Sequence, residues 1–442
     1  MRLNPENLKI TSPIQDRRDV RKASAEKKQE TGTAEDKVSL GSQQPGNDFT
    51  LVDRKSFPSI RVPSEELQSQ HQKKWTVLLY SAADNDLEPY QIQDLNEIEN
   101  VGSSNDLNLV VQLDRGKNPT DISGGWKGAR RYVITHNEDP YNIDSPVAEE
   151  LGQVNMSDPK TLQNFIEWGM KNYPAENYML LISTHGSGWK GAIKDLSHDG
   201  WMKMPEMKNA LSEAEKNIGK KIDVVGFDAC LMGQTEVAYQ LKDHADYMVA
   251  SQELEGAEGW PYQQILSRNV LQDVRTALMM KVDIGPRDLA RFLVRAASMH
   301  QDNLPTLSAI DLNRMEKVGK ASNNLAKAII DTDTPNETIK GLVRNSQSFM
   351  GFKDHHDFCK KIVESKDITD KKLKQRAKEL METLQDAVIL EQHSPEYPGA
   401  TGLSVELPSY NRSPSEKYKK LDFAKDTLWD EALEKLSKKD EE

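Results

Sequence analysis

Two short stretches of the 442-residue chain hold side chains whose types could do covalent chemistry. Ile222–Gly233, IDVVGFDACLMG, reads as a buried strand, a tight bend carrying Asp228 and Cys230, and the opening of a helix. Tyr178–Trp189, YMLLISTHGSGW, is another apolar strand, running into His185 in a Gly/Ser bend. A thiolate is a nucleophile, and an imidazole can take its proton and pass it to a leaving group. Two strand ends presenting Cys230 and His185 side by side therefore suggest a nucleophile–base pair. The residues by themselves leave a plainer reading open: an inert core thiol beside a turn-forming or capping histidine. Ser183, Thr184 and Ser187 share the bend, but no Gly-x-Ser-x-Gly elbow surrounds them, and hydroxyls in such bends are commonly turn formers.

Asp228 stands two positions before Cys230, and in extended backbone residues i and i+2 face one side. An unpaired carboxylate there would raise the thiol's pKa, so a pocket filled by a cationic side chain accounts for it better. Capping of the helix that opens near Leu231 is a compatible second role. Glu253, Glu255 and Glu258, in ELEGAEGWPY, add acidity after the next strand.

These residues need strands to position them. WTVLLYSA, 75–82, is an almost continuous apolar run of the kind found in a parallel sheet covered on both faces. ADNDLEPY then turns the chain and puts acids at the start of a helix, 89–101, whose Ile92, Leu95, Ile98 and Val101 recur at three-residue steps. Further strands are expected at 107–114, 130–135, 177–184, 221–228 and 246–253. Helices are expected at 159–173, with Asp158 as N-cap and Pro159 first, and at 205–217 and 231–242. Between His185 and the next strand, 186–204 reads as a Gly-rich loop with little apolar material to hold it down. DISGGWKGA lacks a Gly-Lys-Ser/Thr ending and reads as a turn rather than a phosphate loop.

The alternation predicts an α/β fold: a doubly wound sheet, mostly parallel, with helices on both faces. His185 and Cys230 fall at the carboxyl ends of strands, where such folds gather ligands. The core is placed at 73–270. Residues 271–442 read as a mainly helical extension, with 370–392 helical throughout and short strands near 305–312 and 402–408 that extend the sheet or form a small second one. Residues 1–70 hold 12 basic and 11 acidic residues and few aromatics, and read as disordered or loosely docked.

THGSGW followed by GFDACLMG resembles the clostripain-like cysteine endopeptidases, relatives of the caspase and gingipain fold group. LLYSAADNDLE (78–88), LVVQLD (109–114), MVASQELE (248–255) and LSAIDL (307–312) match the same pattern, so the resemblance covers about 75 to 410. The caspase signature is absent, since the cysteine sits in DACLMG. The resemblance implies a caspase-like sheet and an endopeptidase cutting after Arg or Lys, with Cys230 attacking and His185 moving the proton. Gly186 and the Cys230 N–H are the best oxyanion candidates, because a glycine after the histidine permits close approach of substrate to the backbone. The resemblance sets Asp228 in the specificity pocket; Glu253, Glu255 and Glu258 are added from this sequence alone, whose ELEGAEGWPY departs from the Gly/Pro-rich sequence often found there in the family. It also implies a dyad rather than a triad, and self-cutting in the 186–204 loop at Lys190, Lys194 or Lys203. No cofactor is required, and calcium dependence, known in parts of the family, is left open, for no EF-hand loop is present. A catalytically silent peptide-binding scaffold and a small-amide hydrolase are the competing readings.

Net charge is −12 with a pI near 5.4, which argues against nucleic acid as a main partner. Protein or peptide substrates with Arg or Lys before the cut bond are the expected partners. No run of 18 apolar residues predicts a membrane span. The N-terminus lacks an apolar h-region, which makes cytoplasmic residence the default. Arg17, Arg18, Lys27 and Lys28 offer further processing sites. Cys359 lies in HHDFC, where adjacent histidines point apart, so no metal site is expected there.

Overall fold

An apolar run needs cover on both faces, and strand β1 (Lys73–Ala82) has it: every residue from Trp75 to Ala82 is buried. In the computed structural model, which describes residues 72–266, 285–300, 304–408 and 413–438, the following strands in chain order are β2 (Leu107–Asp114), β3 (Ala129–Val133), β4 (Val147–Gly152), β5 (Ala175–Ser183), β6 (Ala192–Asp195) and β7 (Gly200–Met202). Then come β8 (Ile222–Asp228), β9 (Ala245–Ala250), β10 (Thr306–Asp311), β11 (Ser348–Phe349), β12 (Phe352–Asp354), β13 (Val388–His393) and β14 (Ser404–Val405). Nine of them form one sheet in the order β13-β10-β9-β8-β5-β1-β2-β3-β4. Its five central strands, β9 to β2, are parallel, and antiparallel strands extend it on each side.

Side-chain alternation divides the core in two. Val77, Leu79, Val111, Leu181, Val224 and Val249 face one side, covered by helix α1 (Glu88–Val101) and by helices Tyr262–Ile265 and Pro286–His300. Leu78, Tyr80, Val110, Leu180, Val225, Phe227 and Met248 face the other. There α2 (Pro159–Asn172), α3 (Met204–Ile218) and α4 (Thr235–Leu241) pack, with Met315–Asp331 and later helices behind them. The layers are helix, sheet, helix, as the periodicity predicts. Asp158 caps α2 by accepting from Lys160 N, with Pro159 at the first turn, where its missing N–H costs nothing.

Several local expectations need correction. No helix runs from 231: the chain turns through Leu231–Gly233, and α4 begins only at Thr235. The 186–204 segment is not loose, because β6 and β7 pair as a hairpin and Trp189, Ala192, Ile193 and Met202 are buried. An edge strand, β4, went unread because its VAEELG is half exposed and acidic; Arg130 and Arg131 hold Glu150 and Glu149 across the pair. The helix 371–387 ends in β13, whose Val388–Leu390 side chains are only partly covered. Of the two short late strands, β10 joins the main sheet beside β9, while β14 joins β11 and β12 in a small second sheet. The sheet therefore takes strands from both sides of residue 270. Residues 1–70, and Arg17, Arg18, Lys27 and Lys28 with them, lie outside the described residues, as does 267–284.

Candidate active site

Strands β8, β5 and β1 lie side by side, and the chain leaves all three at the same edge. In register, Ser81 pairs with Ser183 and Ser183 with Asp228, so the three strands end level. Each then delivers a polar residue within five positions: Asp86 after β1, His185 after β5 and Cys230 after β8. Strand order reverses here too, since β2 lies on one side of β1 and β5 on the other. This is the crevice where open α/β sheets bind ligands.

Cys230 sits in a bend tied down by the residues that follow it. Leu231 N donates to Glu253 O at 3.1 Å and Gly233 N to Ser251 O at 2.6 Å, and Leu231 takes a φ of 67°. A leucine in left-handed backbone is strained by about 1 kcal/mol or more, held there by its surroundings, and such strain gathers at functional sites. The thiol is partly exposed, and Glu255 N donates to its Sγ at 3.3 Å. Burial pushes the thiol up to about 11, against that N–H, with the Glu255 and Asp228 carboxylates adding to the effect. A thiol raised in this way is neutral at pH 7, and would need a base to act as a nucleophile.

The histidine bend reaches the same point. A Cβ on Gly186 would fall 2.3 Å from the Cys230 carbonyl oxygen, so only glycine lets the two bends touch. Gly186 bridges to Ala192, with Ser187 N donating to Gly191 O and Ile193 N to His185 O. That pattern leaves the Gly186 N–H outside the bridge. Among the described residues neither it nor the Cys230 N–H donates to another main-chain carbonyl. The His185 ring is partly exposed, and its Nε2 lies 2.7 Å from Asp86 Oδ1.

Asp228 is buried at the end of β8, where Tyr262 OH donates to its Oδ2 at 2.8 Å and the Trp260 N–H and Ser183 hydroxyl also serve it. Burial raises it to about 6 despite these donors. Glu255 accepts from Trp260 Nε1 at 3.0 Å through Oε1, while its buried Oε2 has no hydrogen-bond partner. Burial, then Asp228, pushes Glu255 far up. Asp94, on α1, is raised in the same way, first by burial and then by Asp228 and Glu97. The charged groups that act most on Asp228, Asp94 and Glu255 are all carboxylates.

Among the pocket residues expected from sequence, Asp228 and Glu255 are brought together beside Cys230. Glu253 is buried but turns to its own neighbour Leu254 N and to Tyr397, and Glu258 is exposed on the loop. Asp94, Trp260, Tyr262 and Asp86 were missed. Asp94 had a signal, because Glu88, Gln91 and Asp94 recur every three residues beside the apolar stripe of α1, and all are buried. The lysines of the 186–204 segment are held in structure. Lys190 is exposed on a 3-10 turn, Lys194 lies in β6 with its carbonyl accepting from Asn85, and Lys203 precedes α3, its N–H donating to Glu206.

HHDFC forms the start of helix His355–Glu364; His355 is buried against Thr235 and Trp429, and Cys359 is buried in the core. Elsewhere Asp84, Asp195 and His198 bring ligand atoms within 4.8 Å of one another. Asp195 already accepts from Met156 N, His198 N and His198 Nδ1, and Asp84 from Ser197 N. An imidazole and pre-engaged carboxylates match calcium's all-oxygen preference poorly, and no step below uses a metal.

Residues 79–436 match the model of the Clostripain family. Clostripain of Hathewaya histolytica is 25% identical over 421 residues, covering 81% of this chain and 79% of its own. A secreted C11 cysteine protease from Bacteroides thetaiotaomicron, solved with an irreversible peptide inhibitor, superposes with a TM-score of 0.60 at 21% identity, over 81% of this chain and 99% of that one. An inactive zymogen C11 protease from Parabacteroides distasonis gives 0.57 at 22%, over 81% and 99%. The match takes in both bends and every strand of the sheet except the first part of β1, and this chain accordingly belongs to the clostripain family of cysteine peptidases.

Proposed function

We propose that the protein is an endopeptidase that cuts after Arg or Lys, with Cys230 as nucleophile and His185 as proton carrier. The observation that carries the specificity is the pair of buried carboxylates beside the thiol, Asp228 and Glu255, together with Asp94, on which Asp228 acts; the strongest charged neighbours of all three are carboxylates. Buried charge without a counter-ion is costly, and a guanidinium or ammonium from the substrate would supply it. The same cation would weaken the field that holds the thiol's proton, so a basic substrate would favour its own attack.

In the reaction the Cys230 proton passes to His185 as sulfur bonds to the scissile carbonyl carbon. The carbonyl oxygen gains the charge, and the Gly186 and Cys230 N–H groups would donate to it. His185 then protonates the amine nitrogen as the C–N bond breaks, leaving a thioester. Water, giving a proton to His185, releases the acid and restores the thiol.

Fluorogenic peptides differing only in the residue before the reporter test the reading. Arg and Lys peptides should turn over and neutral ones should not, and none should be cut by Cys230→Ala. Equal turnover of neutral peptides would overturn the specificity.

The P. distasonis relative is described as an inactive zymogen, which supports a maturing cut here as well. Lys190, flanked by Gly188 and Gly191 and exposed, is the lysine of the segment most open to a groove, whereas cutting at Lys194 requires the hairpin to open. The cytoplasmic default finds no support in the comparisons, since the B. thetaiotaomicron relative is secreted. Among the described residues no helix is long and apolar enough to cross a membrane.

A further inference from the structure

We propose that Asp86 is a positioning residue for His185, fixing the ring through Nε2 so that Nδ1 is its working base; this rests on the Cys230–His185 chemistry above. A carboxylate only accepts, so the 2.7 Å contact requires a proton on Nε2 of the neutral ring and leaves the lone pair on Nδ1. When Nδ1 takes the Cys230 proton, Nε2–H continues to donate to Asp86, whose negative charge faces the new imidazolium. The proton later leaves Nδ1 for the amine nitrogen, and Asp86 ends the cycle as it began, ionised. The hydrogen bond from His185 is the main reason the Asp86 carboxyl is held below its ordinary range.

Asp86 is 76% exposed, and an exposed ion pair alone contributes little. The backbone beneath this pair makes the difference. Asn85 Nδ2 donates to Ala82 O at 2.8 Å and to Lys194 O at 3.1 Å, while its Oδ1 accepts from Leu87 N at 3.0 Å. Asp84 accepts from Leu196 N through its carbonyl at 2.9 Å and from Ser197 N through Oδ2 at 3.1 Å. Ile193 N, one residue before Lys194, donates to His185 O at 3.2 Å. The turn after β1 and the segment that follows His185 are thus laced together residue by residue. Asp86 and His185, 99 positions apart in sequence, are the two side chains at the open end of that lacing. Neither partner has to search for the other, so little conformational entropy is lost when they pair.

The test uses the full chain with Asp86→Ala, Asp86→Asn and Cys230→Ala, assayed on an Arg peptide. Asp86→Ala should lower kcat about tenfold to a hundredfold, less than loss of the base itself, with KM within about twofold of wild type. Sodium formate, against a sodium chloride control, should restore part of that loss in Asp86→Ala and leave wild type unchanged, because the site is open to a small carboxylate. A merely structural aspartate would not respond to formate. Asp86→Asn keeps the shape without the charge and should also lose kcat; it answers the question if the alanine variant fails to fold. Wild-type kcat in either variant, or a loss that formate does not touch, overturns the proposal while leaving the cysteine mechanism standing. Full activity in Cys230→Ala would instead overturn the reading on which it rests.

Discussion

The two bends that meet at the sheet edge are built on opposite electrostatic plans. At the β8 end the acids are buried, crowded and raised, and the thiol with them. At the β5 end the histidine is partly open to solvent and paired with an exposed aspartate that is lowered. Desolvation explains the contrast, since burial without an opposite charge penalises the ionised form, whereas a hydrogen-bonded partner near water favours it. The difference assigns the labour. On the proposed reading, the buried side would receive the substrate's cation and the open side would pass the protons of each cycle.

The comparison can be broken most decisively at its two centres. Cys230→Ala should abolish peptide cleavage, and His185→Ala should lower kcat by about 10²–10⁴-fold with the fold intact by circular dichroism. Near wild-type turnover in either variant means that the meeting of the bends is structural only.

Asp228→Asn should come next, removing about 2–4 kcal/mol of transition-state binding for Arg and Lys peptides and far less for neutral ones. Unchanged kcat/KM on basic peptides would move the pocket charge to Glu255 or Asp94.

A pH profile sharpens the same point. Asp228 is raised to about 6, so it is ionised above that pH and neutral below it. kcat/KM for basic peptides should therefore fall as pH drops through about 6, and Asp228→Asn should flatten that limb. An acid limb that is identical in the variant belongs to another group.

The smallest effect concerns a buried acid that has no part in this chemistry. Glu236 is pushed up to about 8 by burial, with Tyr418 OH and Glu406 N donating to Oε1 and no partner on Oε2. The folded chain keeps a proton that the unfolded chain releases near its ordinary value, so stability is lost as pH rises from about 4.5 to 8. Glu236→Gln should raise stability by about 1–3 kcal/mol at pH 8.5 and change it little at pH 5, read by urea unfolding. Equal effects at both values would show that packing, not charge, is felt at that position.

Much of this was legible in the chain. Continuous apolar runs such as WTVLLYSA and DVVGF can be satisfied only between two layers, so the parallel centre of the sheet followed from them. The bends with His185 and Cys230 followed from the turn residues that end those runs. The edges were not legible. VAEELG is held by cross-strand arginines and carries no apolar alternation, and VILEQH continues a helical pattern until the sheet claims it. The 186–204 segment looked loose because its apolar residues are scattered one by one among glycines and lysines. They become a buried set only when the hairpin folds back and Trp189 reaches Gln234 and Glu406.

By itself the sequence determined which residues stand at the ends of which strands, because that depends on runs and breaks a few residues long. Tertiary structure alone decided their company. Asp86 meets His185 because β1 and β5 are neighbours, and Asp94 comes under the influence of Asp228 because α1 packs on one face of the same sheet. Glu255, not Glu253 or Glu258, is turned inward by the loop that holds Trp260. Pairs such as Cys230–Glu255 and Asp86–His185, 25 and 99 positions apart, leave no periodic trace in a chain, since what places them is the order and register of the sheet.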